Sequence, residues 1–204
     1  MKKVLLILGG GGHGRAVADI AEKLNRYEKI AFLDDKADEV SGYEVLGRTS
    51  DFINFTDSAE FFVAVGNATV REKLMRELKN GGAQIATLIH PSAVIGKNSV
   101  IGEGSVVMAG AVVGVDTAIA SGVIINTCAS VDHDNKIEDY AHIAVGAHLC
   151  GTVGVGKYVW IGAGATVIND VNICSGAYLG AGAVAIKDIT NSGTYVGVPA
   201  VKIK

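Results

Sequence analysis

Three of the chain's five histidines fall in one short stretch, "SVDHDNKIEDYAHIAVGAHLCG", Ser130 to Gly151. An imidazole can ligate a metal, move a proton or pack, and its neighbours decide which. His133 stands between two acids in "VDHDN". An exposed imidazole beside carboxylates gains basicity, as a general base near neutral pH requires, although a solvated His–Asp surface pair looks the same in sequence. His142 and His148 each precede an aliphatic residue, Ile143 and Leu149, and read as ligands, contacts or scaffold. Cys150 follows His148 by two residues, but no carboxylate stands nearby to orient that imidazole, so a spectator thiol is the better reading. Cys128, Cys150 and Cys174 form no CxxC pair, which fits reduced thiols and gives no zinc signature.

A second cluster opens the chain. "GGGGHG", Gly9 to Gly14, satisfies G-x-G-x-x-G after an apolar strand and before a helix, and Asp34 closes the next strand in "FLDD". The pattern resembles a dinucleotide fingerprint, yet the domain that holds it is only about eighty residues, leaving little room for NAD. A diphosphate of any kind suits such a loop, whose N–H groups and helix N-terminus attract anions. Gly66 and Asn67 in "VGN" end a further strand on the same side of the sheet, the usual ligand edge. The plain alternative is that the glycines only make a tight turn.

The elements that position these residues fall into two kinds. Through Gly82, "KVLLIL", "KIAFLDD" and "EFFVAVGN" read as strands, separated by a helix from about Gly14 to Leu24 and followed by the helix "ATVREKLMRELKNG". This is a small parallel, Rossmann-like α/β unit, residues 1–82. From residue 83 onward charges thin out and a period of six takes over. Starting at Ile89 and stepping by six to Leu179, every residue is aliphatic. Four residues after each, from Ala93 to Ala183, the residue is small or β-branched, with Asn135 the exception. Six is a multiple of the strand period of two, so short strands with corners satisfy it. Three sides make an 18-residue coil, and about five coils stack as a parallel β-helix, residues 83–204 with a short tail.

Coil geometry sorts the histidines. All three should face outward, but His142 and His148 lie six apart on adjacent sides, directed about 120° apart, so one chain does not chelate a metal with both. Gly151, 18 residues beyond His133, lies directly over it, and a bare backbone N–H there is an oxyanion donor.

The remaining bounds are broad. With 204 residues, 49% hydrophobic composition and a mean hydropathy of +0.35, the chain can bury a real core. A net charge of −3 with mixed signs argues against nucleic acid. No run reaches the roughly 18 apolar residues needed to span a bilayer, so a cytoplasmic protein is expected.

The hexads resemble those of the hexapeptide-repeat acyltransferases, whose left-handed parallel β-helix assembles as a trimer; the handedness follows from the resemblance alone. With its glycine-rich head and terminal "GVPAVKIK", the chain resembles the bacterial nucleotide-sugar N-acetyltransferases of bacillosamine-type glycan synthesis, and at lower resolution the sialic acid O-acetyltransferases. The resemblance implies an acetyl-CoA-dependent transfer to the amine of a UDP-linked 4-amino sugar, without a metal, in a homotrimer with active sites between subunits. It places the base at His133 and its supporting acid at Asp134, where relatives often carry Glu, with Asp132 the fallback. It places a thioester contact at His142, backbone contacts to the coenzyme at Ala163 and Ala181, and acceptor contacts at Asn126 and Thr127. In the head it has Gly11, Gly12 and His13 cradle the diphosphate or sugar and Asp34 and Asp35 receive the uridine, with Gly66 and Asn67 at the same edge. Gly151 and His142 would together stabilise the tetrahedral oxyanion. Three other readings compete: a sugar O-acetyltransferase, a non-catalytic nucleotide-sugar sensor or scaffold, and a carbonic anhydrase, which the head and the histidine spacing disfavour.

Overall fold

The structure is a computed structural model that describes residues 3–204. These divide into two compact units, one ending at Pro91 and the other spanning Ser92–Lys204.

The first unit is an α/β layer. In chain order it holds β1 (Lys3–Leu8), α1 (Gly12–Leu24), β2 (Tyr27–Leu33), a hairpin of β3 (Glu39–Val40) and β4 (Tyr43–Glu44), β5 (Ala59–Val63), α2 (Ala68–Asn80) and β6 (Gln84–Ile85). The strands of the main sheet run parallel in the order β2-β1-β5-β6. Leu5 to Leu8 in β1 are buried, as the centre of a parallel sheet requires. Helix α1 covers the sheet with Val17, Ala18, Ile20 and Ala21 and begins at Gly12, two residues before the expected start, because Gly11 serves as its extended N-cap. Gly14 has to be glycine: a Cβ there would stand 2.0 Å from the carbonyl oxygen of Gly9, which is how the helix packs this close to the strand it follows. Asn67 caps α2, its Oδ1 accepting the Val70 N–H at 3.0 Å. The head was expected to end at Gly82. The compact unit ends at Pro91, and Gln84–Ile85, too short to show a period, pairs with Glu60–Phe61 as its fourth strand.

The second unit is a β-solenoid. Sixteen two-residue strands from Val94–Ile95 to Val184–Ala185 follow one another at six-residue intervals. They form three parallel sides, and each strand pairs with the strand 18 residues away, as Val112 does with Ser130 and Ser130 with His148. This makes five turns and the start of another. The first side carries His142–Ile143, the second Ser130–Val131 and His148–Leu149, and the third Lys136–Ile137. The inward aliphatics from Val107 to Leu179 are at most 2% exposed, so the six-residue register is the core. Thr194–Val196 closes the far end, pairing in parallel with Tyr178–Leu179 and antiparallel with Val201–Lys202.

Candidate active site

His133 sits at the corner where the second side of the solenoid turns into the third. Its Nδ1 lies 2.8 Å from Asp134 Oδ2, and its own N–H donates to Asp132 Oδ1 at 2.8 Å. The two acids therefore divide the work, Asp134 fixing the ring and Asp132 the backbone. Asp134 reaches the ring despite its short side chain because its backbone is left-handed, with φ 57°. With Nδ1 donating to a carboxylate, Nε2 is the nitrogen left to accept a proton. The hydrogen bond to Asp134 holds the imidazole's pKa above its ordinary 6.5; desolvation opposes this, and the charges of Asp132, Asp134 and Asp170 reinforce it.

Gly151 occupies the next coil directly over the ring. A Cβ there would lie 2.5 Å from both Cε1 and Nε2 of His133, so the imidazole fills the space a side chain would take. Among the described residues the Gly151 N–H has no backbone acceptor, while the flanking Cys150 and Thr152 N–H groups donate to Val167 O and His133 O. A bare backbone donor thus stands beside the imidazole.

The corner is held from inside by a residue that sequence reading treated only as a break in the small-residue register. Asn135 is fully buried; its Nδ2 donates to the carbonyls of Asp132 (2.7 Å), Cys150 (2.9 Å) and His133 (3.2 Å), and its Oδ1 accepts the Val153 N–H. Thr117 braces the same carbonyl of Asp132 from the coil below, at 2.7 Å. The signal was the exception itself: a buried amide among alanines and valines needs partners, and here they are the backbone around His133 and of the coil that carries Gly151.

A second group gathers elsewhere. His142 lies on the first side, only 8% exposed, with Nε2 3.0 Å from Asn126 Nδ2 and its ring tilted over Trp160 at 4.1 Å. Trp160 in turn stacks on Tyr178 at 5.8 Å, an aromatic ladder not anticipated from sequence. Asn126 Oδ1 accepts the Thr127 N–H. Ala163 and Ala181 are exposed at the corner that follows this side and stack one above the other, the Gly182 N–H donating to Ala163 O. The expected residues thus fall into two sets: His133, Asp134 and Gly151 at one corner, and Asn126, Thr127, His142, Ala163 and Ala181 along another side and corner. A single protomer does not bring Gly151 and His142 to one oxyanion. His148 is exposed on the second side, its Nδ1 2.8 Å from Ser130 Oγ.

In the head, the glycine loop, Asp34 and the "VGN" turn follow β1, β2 and β5, so the parallel sheet delivers all three to one edge. Asp34 turns out to be an anchor of the loop: Oδ2 accepts the Gly10 N–H at 2.7 Å and Oδ1 the Lys36 and Ala37 N–H groups. Partial burial would raise its pKa, but these three donors outweigh it and hold the carboxyl below its usual range. Asp35 accepts both the N–H and hydroxyl of Thr49. Both carboxylates border a cavity of about 720 Å³, with Gly9, Thr49, Val65 and Lys73 in its wall. Gly11 and Gly12 open the helix with space above them, nothing lying within 4 Å of a Cβ built at Gly11. The Nε2 of His13 is buried, and burial, aided by the nearby Arg71 cation, pulls its pKa down to about 4. Arg71, itself buried, donates Nη1 to the carbonyls of Val65 (2.8 Å) and Gly66 (3.0 Å) and so fixes the "VGN" turn.

Solenoid and glycine-loop head together give the architecture of an acyltransferase of the hexapeptide-repeat class. Comparison with known proteins narrows this. The PglD N-terminal domain matches residues 4–78. A UDP-N-acetylbacillosamine N-acetyltransferase of Bacillus subtilis (strain 168) is 37% identical over 112 residues, 52% of each chain, so the match spans about half that relative's length. The acetyltransferase domain of PglB from Neisseria gonorrhoeae FA1090, solved with acetyl coenzyme A, is 39% identical with a TM-score of 0.96, covering 100% of both chains. A mutant perosamine N-acetyltransferase from Caulobacter crescentus, solved with CoA and GDP-perosamine, is 33% identical with a TM-score of 0.95, covering 100% of this chain and 98% of that one. The chain belongs to the bacterial nucleotide-sugar N-acetyltransferases. No helix among the described residues is long and apolar enough to cross a membrane.

Proposed function

We propose that this protein transfers the acetyl group of acetyl-CoA to the amine of a UDP-linked 4-amino-4,6-dideoxy sugar, with His133 as general base. The observation that carries the reading is the set His133–Asp134–Gly151: a raised imidazole with one nitrogen held, the other presented, and a bare N–H beside it. The amine nitrogen attacks the thioester carbonyl carbon, forming the C–N bond and an oxyanion that the Gly151 N–H stabilises. His133 Nε2 takes a proton from the nitrogen. Collapse of the intermediate breaks the C–S bond, and the imidazolium returns the proton to the coenzyme's sulfur, so no covalent enzyme intermediate or metal is needed.

The working enzyme is a homotrimer in this proposal, because one protomer separates the base from His142, Asn126, Ala163 and Ala181. A neighbouring copy that sets its first side against the catalytic corner joins them. Val94, Val112, Val115, Ile168 and Ile186, exposed on the second side and its corner around His133, are the apolar surface such packing would cover. In the head, Gly11, Gly12 and His13 meet the diphosphate, Asp34 keeps the loop in shape, Asp35 meets the uracil at the cavity rim, and Gly66 and Asn67 close the edge. The reaction belongs in the cytoplasm, where acetyl-CoA is made.

The test is release of free CoA from acetyl-CoA with UDP-4-amino, UDP-3-amino and GDP-4-amino sugars and with sialic acid. Turnover with the UDP-4-amino sugar above the others is expected. A preference for the GDP sugar would move this chain toward its perosamine relative, activity only with sialic acid would make it an O-acetyltransferase, and no activity would favour a sensor.

A further inference from the structure

The carboxylate of Asp170 has no role so far, yet the fold sets this residue at the His133 corner, in the coil above Gly151. Its N–H donates to Gly151 O at 3.2 Å, which fixes it in the coil above Gly151, and its left-handed backbone (φ 62°) places it in the same corner column as Asp134, two coils on. The His133 ring rises to the Gly151 layer with Cε1 and Nε2 leading, since these are the atoms a Gly151 Cβ would strike. Asp134 therefore flanks the imidazole on its Nδ1 side, and the charge of Asp170, held in the coil above Gly151, is near enough to favour the protonated ring. Among the described residues the Asp170 carboxylate makes no hydrogen bond or ion pair. Asp132 and Asp134 are engaged by His133, and Asp116 accepts from Asn98, so Asp170 is the carboxylate left over at this corner.

We infer that Asp170 docks the acceptor's amine as its ammonium ion beside His133 Nε2, making it a specificity residue for cationic acceptors; this rests on the N-acetyltransferase reading above. A sugar amine arrives largely protonated at neutral pH and must lose that proton before it can attack. A carboxylate beside the base attracts the cation, orients its nitrogen toward the thioester and disfavours an acceptor that brings its own carboxylate, such as sialic acid. The balance is R–NH3⁺ plus acetyl–S–CoA giving R–NH–acetyl, HS–CoA and one H⁺. One proton leaves to solvent as the free amine forms, and the other travels through Nε2 to the sulfur.

Calorimetric titration in the presence of CoA tests this with two ligands, a UDP-4-amino-4,6-dideoxy sugar and its analogue with a hydroxyl at the same carbon. Asp170→Asn is expected to weaken the amine ligand about fivefold, the scale of one exposed ion pair, to leave the hydroxyl analogue unchanged, and to be partly rescued by Asp170→Glu. Equal weakening of both ligands would make Asp170 merely structural, and no change in either would remove it from the site. Should the wild type bind neither ligand, the UDP-amino-sugar reading itself falls, an outcome distinct from both.

Discussion

The imidazole of His133 lies on the backbone of Gly151, 2.5 Å from where a Cβ would be. That single relationship places the proposed base and the proposed oxyanion donor in adjacent coils, 18 residues apart in sequence and one strand spacing apart in space. It also means that the base keeps its position only while residue 151 has no side chain.

Gly151→Ala follows directly. The backbone at Gly151 lies outside the left-handed region, so alanine is conformationally allowed, and the methyl group's only severe clash is with the ring. The ring must swing off Nε2's working position, and turnover should fall by roughly 10²-fold or more, the lower bound of a general base's contribution, with the thermal midpoint little changed. Steady-state kinetics beside a melting curve separates the two; a variant with near-normal kcat would show that the ring and glycine do not act together.

Asp134→Asn removes the interaction that most raises the His133 pKa. A base works in its neutral form, so activity climbs as pH passes its pKa. Lowering that pKa toward 6.5 should move the acid limb of the kcat/KM profile to lower pH, while the plateau drops because the base is weaker and its ring less firmly held. An acid limb that stays in place would point to Asp132 or to another group.

Asn135→Ala should be costly to stability. It leaves the Cys150 carbonyl and the Val153 N–H without their buried partner, while the Asp132 carbonyl keeps Thr117 and the His133 carbonyl keeps the Thr152 N–H. At about 1–3 kcal/mol for each unsatisfied group, a loss of at least about 2 kcal/mol is expected in urea unfolding, together with reduced turnover. Wild-type stability would show that water or a shifted backbone replaces the amide.

How far the sequence carries the reader differs between the two halves. The solenoid was legible because its core position recurs every six residues and its coil closes at 18, so that Gly151 falls over His133 by counting alone. In the head, Gln84–Ile85 was missed because two residues carry no period, and the boundary moved with it. The resemblance puts Asp34 at the uridine; the structure adds that its carboxylate accepts the N–H groups of Gly10, Lys36 and Ala37, contacts that no spacing rule encodes. The Trp160–Tyr178 stack was in principle readable, since the two lie 18 apart, but sequence analysis followed only the inward register. His142 and His133 are nine residues apart, one and a half hexads, and that offset is why one chain keeps them on different sides.

The most direct test of the account is the turnover of His133→Ala with acetyl-CoA and the UDP-4-amino sugar, measured by CoA release alongside acetyl-CoA binding. The account predicts kcat lower by roughly 10²–10⁴-fold, with coenzyme affinity nearly unchanged because the ring is assigned to the proton and not to the coenzyme. A mutant that keeps most of its turnover would contradict it, and some other group would then have to take the amine's proton.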